Sequence, residues 1–285
     1  MTAAATAENF RDTPGLVERA AMVVSDSLAV TKRNVIKIKR VPDVLIFSTL
    51  SPIMFVLLFA YIFGTAIQVP GLAGGYREYL IAGIFVQTVV FGSTFTGSSL
   101  AEDMQKGIID RFRSLPMAPS SVLIGRTVSD VVINVVSLVV MSLTGLVVGW
   151  RIRGSVLDAV LAYVLLLLFA YAISWIMAIV GLLVHTPEVF NNASFMVIFP
   201  LTFLANTFVP LRDLPTPLRI FAEWNPVSAL AQATRELFGN ASPVVDNSSA
   251  WSLQHPVPTT LVWVVVILAV FVPLAMRQYR RTVSR

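Results

Sequence analysis

The chain has 285 residues, of which 56% are hydrophobic and only 13% charged, and its mean hydropathy is +0.77. Soluble globular domains carry about 25% charged residues, so a water-covered surface is excluded for most of this chain. The sequence contains no cysteine, which excludes disulfides and thiolate metal sites, and its formal charge of +5 comes from residues beside apolar runs rather than from a nucleic-acid-binding patch.

The N-terminal region carries no secretory signal pattern, because acidic residues interrupt it and no apolar core follows a short basic start. Residues 1–14 are small and polar and are predicted to be a disordered cytoplasmic tail. In 15–42, apolar residues recur at helical spacing and lysines and arginines gather at the end. This pattern predicts an amphipathic helix on the inner membrane surface, in contact with lipid headgroups. The alternative is a soluble helix packed on another domain.

Six apolar runs follow, each long enough to cross a bilayer as a helix. The runs are about Val44–Phe63, Tyr79–Leu100, Val122–Val148, Val156–Val184, Val189–Val209 and Thr259–Met276. We therefore expect a six-span domain over 43–276 and a basic cytoplasmic tail over 277–285. The loop before the sixth span contains a further helical stretch, about Val227–Phe238, and no internal repeat supports an inverted-repeat transporter.

Lysine and arginine counts predict that both termini are cytoplasmic. In that orientation 15 of these residues lie on the inner side and six on the outer side. Arg151 and Arg153 fall in a short outer turn and are a local exception to the bias.

Several kinds of chemistry are missing from the sequence. The middle of every predicted span lacks charged residues and histidine, whereas a proton-coupled antiporter keeps a carboxylate there. His185 and His255 stand far apart, and no HExxH motif occurs, so we expect no metal site. No glycine is followed directly by lysine, which rules out the usual phosphate-binding loop. We expect no catalytic residue and no cofactor in this chain, and any energy for active transport must come from another subunit.

Polar residues lie within the second and fifth predicted spans and have two interpretations. They join helices by hydrogen bonds, or they line a partly polar path. The residues of most interest for a path are the amides Gln87 and Asn206. In the third span, Gly145 and Gly149 form a GxxxG pattern that is typical of close helix packing.

The inner loop after the second span predicts a short amphipathic helix at the cytoplasmic surface. Apolar residues share one face of it, and charged residues share the other: Glu102, Asp103, Lys106, Asp110 and Arg113. Because this polar face carries both signs of charge, it suits a protein partner better than anionic lipid. The alternative is a solvated loop helix without a partner.

The same loop resembles the inner-loop signature of type-2 ABC exporter permeases, and most of all the daunorubicin-resistance-type drug-efflux permeases of bacteria. The resemblance lies in the run from Lys106–Gly107 to Arg111–Phe112–Arg113–Ser114–Leu115–Pro116–Met117–Ala118–Pro119. Three other stretches fit the family's first span, the end of its fifth span and its outer helix, in that order: Ser51–Pro52 to Phe63–Gly64, Phe208–Val209–Pro210 to Leu214–Pro215, and Asn225–Pro226–Val227 to Phe238.

The resemblance implies an all-α, polytopic fold with six transmembrane helices, an N-terminal interfacial amphipathic helix and a cytoplasmic coupling helix. It implies two permease subunits, identical or homologous, joined to nucleotide-binding ATPase subunits that carry ATP and Mg. The ATPase would contact Glu102, Asp103, Lys106, Asp110, Arg111 and Arg113. The second and fifth spans would border a substrate path, and the first and fifth would meet the other permease. Candidate path residues are Gln87, Phe91, Phe95, Phe203, Asn206 and Thr207, although any one Phe is better explained as a core or lipid-facing residue.

The expected function is thus the permease subunit of an exporter that moves a lipophilic compound, drug or lipid out across a bacterial plasma membrane. A glycolipid or polysaccharide exporter of the same fold is an alternative. Two other classes are a multispan lipid-modifying enzyme, for which Asp158 and Glu188 are the available carboxylates, and a passive membrane scaffold.

Overall fold

A computed structural model of the chain describes residues 16–40, 50, 52–63, 75–109, 119–208, 211, 214–242 and 249–283. These residues form helices joined by turns, with no strand among them. The helices are α1 (Leu16–Arg40), α2 (Pro52–Ile62), α3 (Gly75–Gly92), α4 (Thr94–Gln105), α5 (Pro119–Val148), α6 (Val156–Leu183), α7 (Pro187–Phe203), α8 (Thr216–Trp224), α9 (Pro226–Phe238), α10 (Trp251–Gln254) and α11 (Pro256–Val283). The all-α prediction is confirmed for the described part of the chain.

Within the described ranges, four helical stretches are long and apolar enough to cross a membrane. They are Gly75–Gln105, Ser120–Val148, Val156–Leu183 and Pro256–Thr282. They correspond to the second, third, fourth and sixth predicted spans. The first span is described only as the shorter helix Pro52–Ile62, and the fifth as the 17-residue α7, so the count of six stays a prediction.

The second predicted span differs from its expected form in two ways. The helix breaks at Ser93, whose hydroxyl donates to the carbonyls of Val89 and Ala170 and so ties the break to α6. Beyond Leu100 the helix continues to Gln105, and a turn at Lys106 and Gly107 ends it, with Gly107 at φ +62°. The predicted inner helix is therefore not one element: its first residues belong to α4, and 110–118 lie outside the described residues.

Helix α6 is the centre of the bundle and packs against α3, α4, α5, α9 and α11. Its crossing with α4 is close because Gly97 and Gly181 face each other. A Cβ on Gly181 would clash with the Gly97 backbone. Glycines at this crossing let the two backbones approach, as small residues do in membrane helix pairs. Of the predicted GxxxG pair, Gly145 lies against the Trp150 ring and Ile81 of α3, whereas a Cβ on Gly149 would meet nothing within 4 Å among the described residues.

Helix α1 packs along the first turns of α5 in the same chain direction. Thr31 donates to the Gly125 carbonyl, and the Asn34 amide donates to the Ser129 hydroxyl at 3.2 Å. The sequence predicted the helix but not this partner. Its position on a membrane surface remains a prediction.

Two further predicted segments differ in extent. Helix α11 runs on through Arg277 and Arg281 to Val283, so the predicted basic tail over 277–285 begins as helix. Residues 1–14, predicted to be disordered, lie outside the described residues.

Helix α9 is inserted between α3, α6 and α11 rather than lying on the surface. Asn225 caps its first turn, and Gly239, at φ +71°, ends it. Phe238, at its last turn, packs against Phe85, Trp150 and Tyr163, with ring centroids 5.2–5.7 Å apart. This aromatic cluster fixes α9 against α3, α6 and the turn after α5.

Candidate functional site

A groove of about 460 Å³ lies between α2, α3, α4, α5 and α7. Its lining residues are Pro52, Phe55, Ile84, Gln87, Thr88, Phe91, Gly92, Thr94, Phe95, Ser137, Phe195 and Phe203. Small-molecule sites commonly have volumes of about 300–1,000 Å³ and mostly apolar walls with a few polar groups. The groove therefore has the size and character of a site for a lipophilic small molecule.

Stacked phenylalanines form one side of the groove. Phe195, Phe199 and Phe203 follow one another along α7, with successive ring centroids 5.3 and 4.3 Å apart. The ring centroid of Phe208 lies 5.9 Å from that of Phe203 and 5.1 Å from that of Phe59 on α2. Phe59 in turn stacks on Phe55 of the same helix at 5.7 Å. Because offset rings at these distances attract one another, the row holds α2 against α7, and three of its members line the groove: Phe55, Phe195 and Phe203.

The polar groups of the groove come mainly from α3 and α4. Gln87 is 9% exposed, and its buried Oε1 has no partner among the described residues. The Thr88 hydroxyl donates to the Ile84 carbonyl at 2.8 Å, and the Thr94 hydroxyl donates to the Phe91 carbonyl at 2.7 Å. None of the described lining residues is charged.

The structure brings together four of the six candidate path residues. Gln87, Phe91, Phe95 and Phe203 line the groove. Asn206 and Thr207 do not line it; they are buried in the turn beyond α7. Whether any of the six contacts a substrate stays a prediction.

The turn beyond α7 is held by Arg235 of α9, one of the six basic residues counted on the outer side of the predicted topology. Arg235 is fully buried, and its guanidinium donates to the carbonyls of Asn206 at 2.6 Å, Thr207 at 3.0 Å and Tyr79 at 3.2 Å. Its Cζ lies 3.6 Å from the centroid of the Tyr79 ring. The side chain thus fastens α9 to both α3 and the end of α7.

Asn225 adds to the same attachment. Its Nδ2 donates to the carbonyls of Leu201 and Leu204. The Ser228 hydroxyl accepts from the backbone N–H of Asn206 at 3.1 Å. Pro200 lies within α7, and the carbonyls at its end lack helical partners. We call Arg235, Asn225 and Ser228 the α9 clasp, because together they pair backbone carbonyls and one backbone N–H at and beyond the end of α7.

A charged cluster lies at the opposite end of α4. The Asp103 carboxylate is 3% exposed and accepts from the buried Arg126 of α5, and Arg33 of α1 lies 3.9 Å from it. Burial and the neighbouring Arg126 lower the pKa of Arg33, and Asp103 opposes this shift. Asp103 thus joins three helices, and its predicted contact with an ATPase stays a prediction.

The other predicted contact residues are placed differently. Glu102 and Lys106 form a surface ion pair one helical turn apart. Hydrogen bonding to Glu102 raises the pKa of Lys106. Asp110, Arg111 and Arg113 lie outside the described residues.

Asp130 is buried within α5 near this end. Its carboxylate accepts from the backbone N–H of Thr96 at 2.7 Å and from the Thr96 hydroxyl. These hydrogen bonds join α5 to the first turn of α4. Next to it, Asn134 donates to the Asp130 carbonyl.

Arg151 and Arg153, the exceptions to the predicted inner excess of basic residues, both have local hydrogen-bond partners. Arg151 donates to the carbonyls of Leu146 and Trp150 at the end of α5. Arg153 donates through Nε and Nη2 to the fully buried Glu78, at 2.8–3.0 Å. The Glu78 carboxylate accordingly raises the pKa of Arg153. Structural pairing explains why arginines occur in this turn.

Comparisons with known proteins agree with this architecture. The family model described as "ABC-2 type transporter" matches residues 26–238. The daunorubicin resistance ABC transporter permease protein DrrB1 of Streptomyces coeruleorubidus is 35% identical over 260 residues, which cover 91% of this chain and 88% of that protein. A probable doxorubicin resistance ABC transporter permease protein, DrrC of Mycobacterium tuberculosis, is 26% identical over 94% of this chain and 93% of its own length. A putative transport permease, ycf38 of Cyanophora paradoxa, is 24% identical over 79% of this chain and 78% of its own length.

Proposed function

We infer the function from one premise: the chain belongs to the ABC-2 type transporter family. We propose that it is the membrane permease subunit of an ATP-driven exporter that moves a lipophilic compound outward across the plasma membrane. Drugs of the kind named for its relatives are the first candidates.

The observation that carries this proposal is the groove. Its volume of about 460 Å³ accommodates a drug-sized compound, its walls are mostly apolar, and five of its described lining residues are phenylalanines. A groove between helices with rings along one side suits a planar, lipophilic substrate better than a polar sugar chain.

We propose the six-span arrangement with both termini in the cytoplasm. Arg151 and Arg153 are the local exception to the inner excess of basic residues. Their hydrogen bonds to the Leu146 carbonyl and to Glu78 give both arginines a structural reason to lie in an outer turn, which supports this orientation. In this orientation the α9 clasp lies at the outer end of the groove, and the Asp103 cluster lies at the cytoplasmic end.

An ATPase subunit with ATP and Mg is the proposed energy source, docked on the inner loop. Glu102 and Lys106 are partly exposed, whereas buried Asp103 is left out of the proposed contact. For the loop residues beyond them, we expect reversal of both charges at Asp110 and Arg113 to lower substrate-stimulated ATP hydrolysis without affecting membrane insertion. Unchanged stimulation would count against this docking site.

A second permease subunit, identical or homologous, is the proposed neighbour of α2 and α7. Both helices expose large apolar side chains: Met54, Leu58, Tyr61, Met196 and Phe199. Such a face supports contact with either another permease or lipid, and cross-linking through cysteines introduced at Leu58 and Met196 separates the two.

Reconstitution tests the proposed function. The chain and its ATPase partner are placed in liposomes, and ATP-driven movement of the lipophilic dye Nile red is measured. We expect ATP-dependent transport that Thr94→Trp, which fills the groove, abolishes, while the exposed Thr216→Trp on α8 leaves it intact. Equal transport by both variants would remove the groove from the pathway.

A further inference from the structure

A further groove, of about 320 Å³, lies between α5 and α6, and we call it the α5–α6 groove. Its lining residues are Val135, Leu138, Val139, Ser142, Leu143, Tyr163 and Leu167. The part of α5 that lines it covers about two helical turns, roughly 12 Å. These residues lie in the halves of α5 and α6 that adjoin the turn between the two helices. In the proposed orientation this is the outer half of the membrane.

The α5–α6 groove is apolar and opens sideways from the bundle. Val135, Val139 and Leu143 along its edge are 40–59% exposed. Its two polar side chains have already used their hydroxyl hydrogens. The Ser142 hydroxyl donates to the Leu138 carbonyl at 2.6 Å, so the Tyr163 hydroxyl, 2.7 Å from the Ser142 oxygen, is the donor of the second bond. Because the other lining residues are aliphatic, the groove favours a hydrocarbon chain over a polar ligand.

Arg151 lies at the outer end of the α5–α6 groove. Its Nη1 donates to the Leu146 carbonyl at 2.7 Å. Leu146 follows Ser142 and Leu143 at four- and three-residue spacing, so it continues the face of α5 that lines the groove. It lies about 4.5 Å beyond Leu143 along the helix axis. The guanidinium is therefore held within about 10 Å of the end of the groove.

The guanidinium of Arg151 keeps unused donors and an unpaired charge. Its side chain is exposed, its Nε and Nη2 make no hydrogen bond within the described residues, and none of their carboxylates lies within ion-pair distance. Two acidic residues at this end of the bundle have other partners: Glu78 binds Arg153, and Asp158 caps α6 through Ser155. A phosphodiester would supply both the negative charge and the acceptor oxygens that Arg151 lacks.

From this arrangement we propose that the α5–α6 groove and Arg151 together bind an anionic phospholipid of the outer leaflet. One acyl chain lies in the groove, and the phosphate accepts hydrogen bonds from Nε and Nη2 of Arg151. Charge complementarity identifies this occupant, because an apolar groove that ends at an unpaired arginine matches a hydrocarbon chain with a negative head. The site does not include the groove of the proposed export pathway, so the inference goes beyond that function.

Photoreactive phospholipids test the site. Phosphatidylglycerol or phosphatidylcholine, each with a diazirine midway along one acyl chain, is incorporated at equal fraction into nanodiscs that hold the full chain in its native assembly. After irradiation, the labelled peptides of α5, α6 and α11 are quantified by mass spectrometry. We expect phosphatidylglycerol to label 135–143 and 163–167 about fivefold more than phosphatidylcholine does, and the two lipids to label α11 equally.

Substitutions at Arg151 test recognition of the head group. Arg151→Gln is expected to lose the fivefold preference for phosphatidylglycerol, and Arg151→Lys to retain at least half of it because the positive charge remains. Arg219→Gln is the matched control, since Arg219 is a partly exposed arginine of α8 that lies 3.8 Å from Glu223. It should leave the preference unchanged.

A substitution within the groove provides a second, independent variant. Val139→Trp fills the groove and is expected to reduce labelling of 163–167 to the level found on α11. Val265→Trp is the matched control, because Val265 of α11 is also exposed and lies nine residues from the outer end of its helix, as Val139 does in α5. It should not change labelling of the groove.

Three outcomes would overturn the inference. Equal labelling of α5, α6 and α11 by both lipids would mean non-specific contact with surrounding lipid only. An unchanged preference in Arg151→Gln would remove the head-group contact, and absence of any label in the groove would mean that another subunit covers it. None of these outcomes would affect ATP-driven export of Nile red, so the proposed function is tested separately.

Discussion

Replacement of Arg235 by methionine should destabilise the fold strongly, although this arginine has no carboxylate partner among the described residues. The substitution removes three charge-assisted hydrogen bonds to backbone carbonyls, at 2.6–3.2 Å, and the contact with the Tyr79 ring. Each such bond contributes about 1.5–3 kcal/mol, and burial of the guanidinium offsets several kcal/mol of the sum. Because the Thr207 carbonyl then loses its donor and the Asn206 carbonyl keeps only the Tyr79 hydroxyl at 3.4 Å, we expect a net loss of about 3–5 kcal/mol.

The assay is unfolding in mixed micelles of dodecyl maltoside and increasing SDS, followed by circular dichroism. Arg219→Met on α8 is the matched control, because Arg219 is partly exposed and lies 3.8 Å from Glu223 in a surface pair worth at most about 1 kcal/mol. Arg235→Lys should recover only part of the loss, since an ammonium does not reach three carbonyls as a planar guanidinium does. If the free energy of unfolding of Arg235→Met lies within about 1 kcal/mol of that of the unsubstituted protein, the α9 clasp does not stabilise the fold as described.

Three other substitutions test the packing around the groove. Gly181→Ala is expected to separate α6 from α4 at Gly97 and to lower stability by about 1–3 kcal/mol, and unfolding identical to that of the parent chain would disprove the close crossing. Asp103→Asn should lower the free energy of unfolding by about 3–5 kcal/mol, because Arg126 remains buried without its counter-ion. The double variant Asp103→Leu with Arg126→Met should recover most of that loss. A double variant as unstable as the single variant would contradict the pairing. Asn225→Ala should cost about 1–2 kcal/mol and raise hydrogen exchange at the start of α9 and the end of α7 together, whereas a change confined to α9 would mean that the side chain serves only as a helix cap.

The long apolar helices could be predicted from sequence, because a run of about 20 apolar residues has few alternatives to a membrane helix. The third predicted span began at Val122 and the structure begins α5 at Pro119, with the same end at Val148. The outer helix was likewise placed within one residue, since Asn225 and Gly239 mark its two ends.

The ends of α4 could not be predicted from local pattern. Glu102, Asp103 and Lys106 suggested a separate surface helix because acidic and basic residues usually face solvent. Glu102 and Lys106 do lie at the surface, but Asp103 is buried by Arg126, which is 23 residues away in the chain and reaches that carboxylate because α5 packs against α4. A hydropathy pattern contains no information about that pairing.

The site was predictable in part for a related reason. Gln87, Phe91 and Phe95 follow one another at four-residue spacing, so a helix brings them to one face, and an amide within an apolar span is conspicuous. Arg235 was missed because a basic residue in the last turn of an amphipathic helix normally faces water, where it interacts favourably with the negative end of the helix dipole. Its burial follows from the insertion of α9 against α3 and α7, which is a tertiary contact.

The central claim is that this chain is a permease driven by a separate ATPase. The most direct test is a mild-detergent pull-down of the full chain from its native host, with the co-purifying proteins identified and ATP hydrolysis measured. The account predicts a stoichiometric partner that carries a phosphate-binding loop and hydrolyses ATP faster when a transported lipophilic compound is added. Purification of the chain with no ATPase, under conditions that keep the membrane assembly intact, would contradict it.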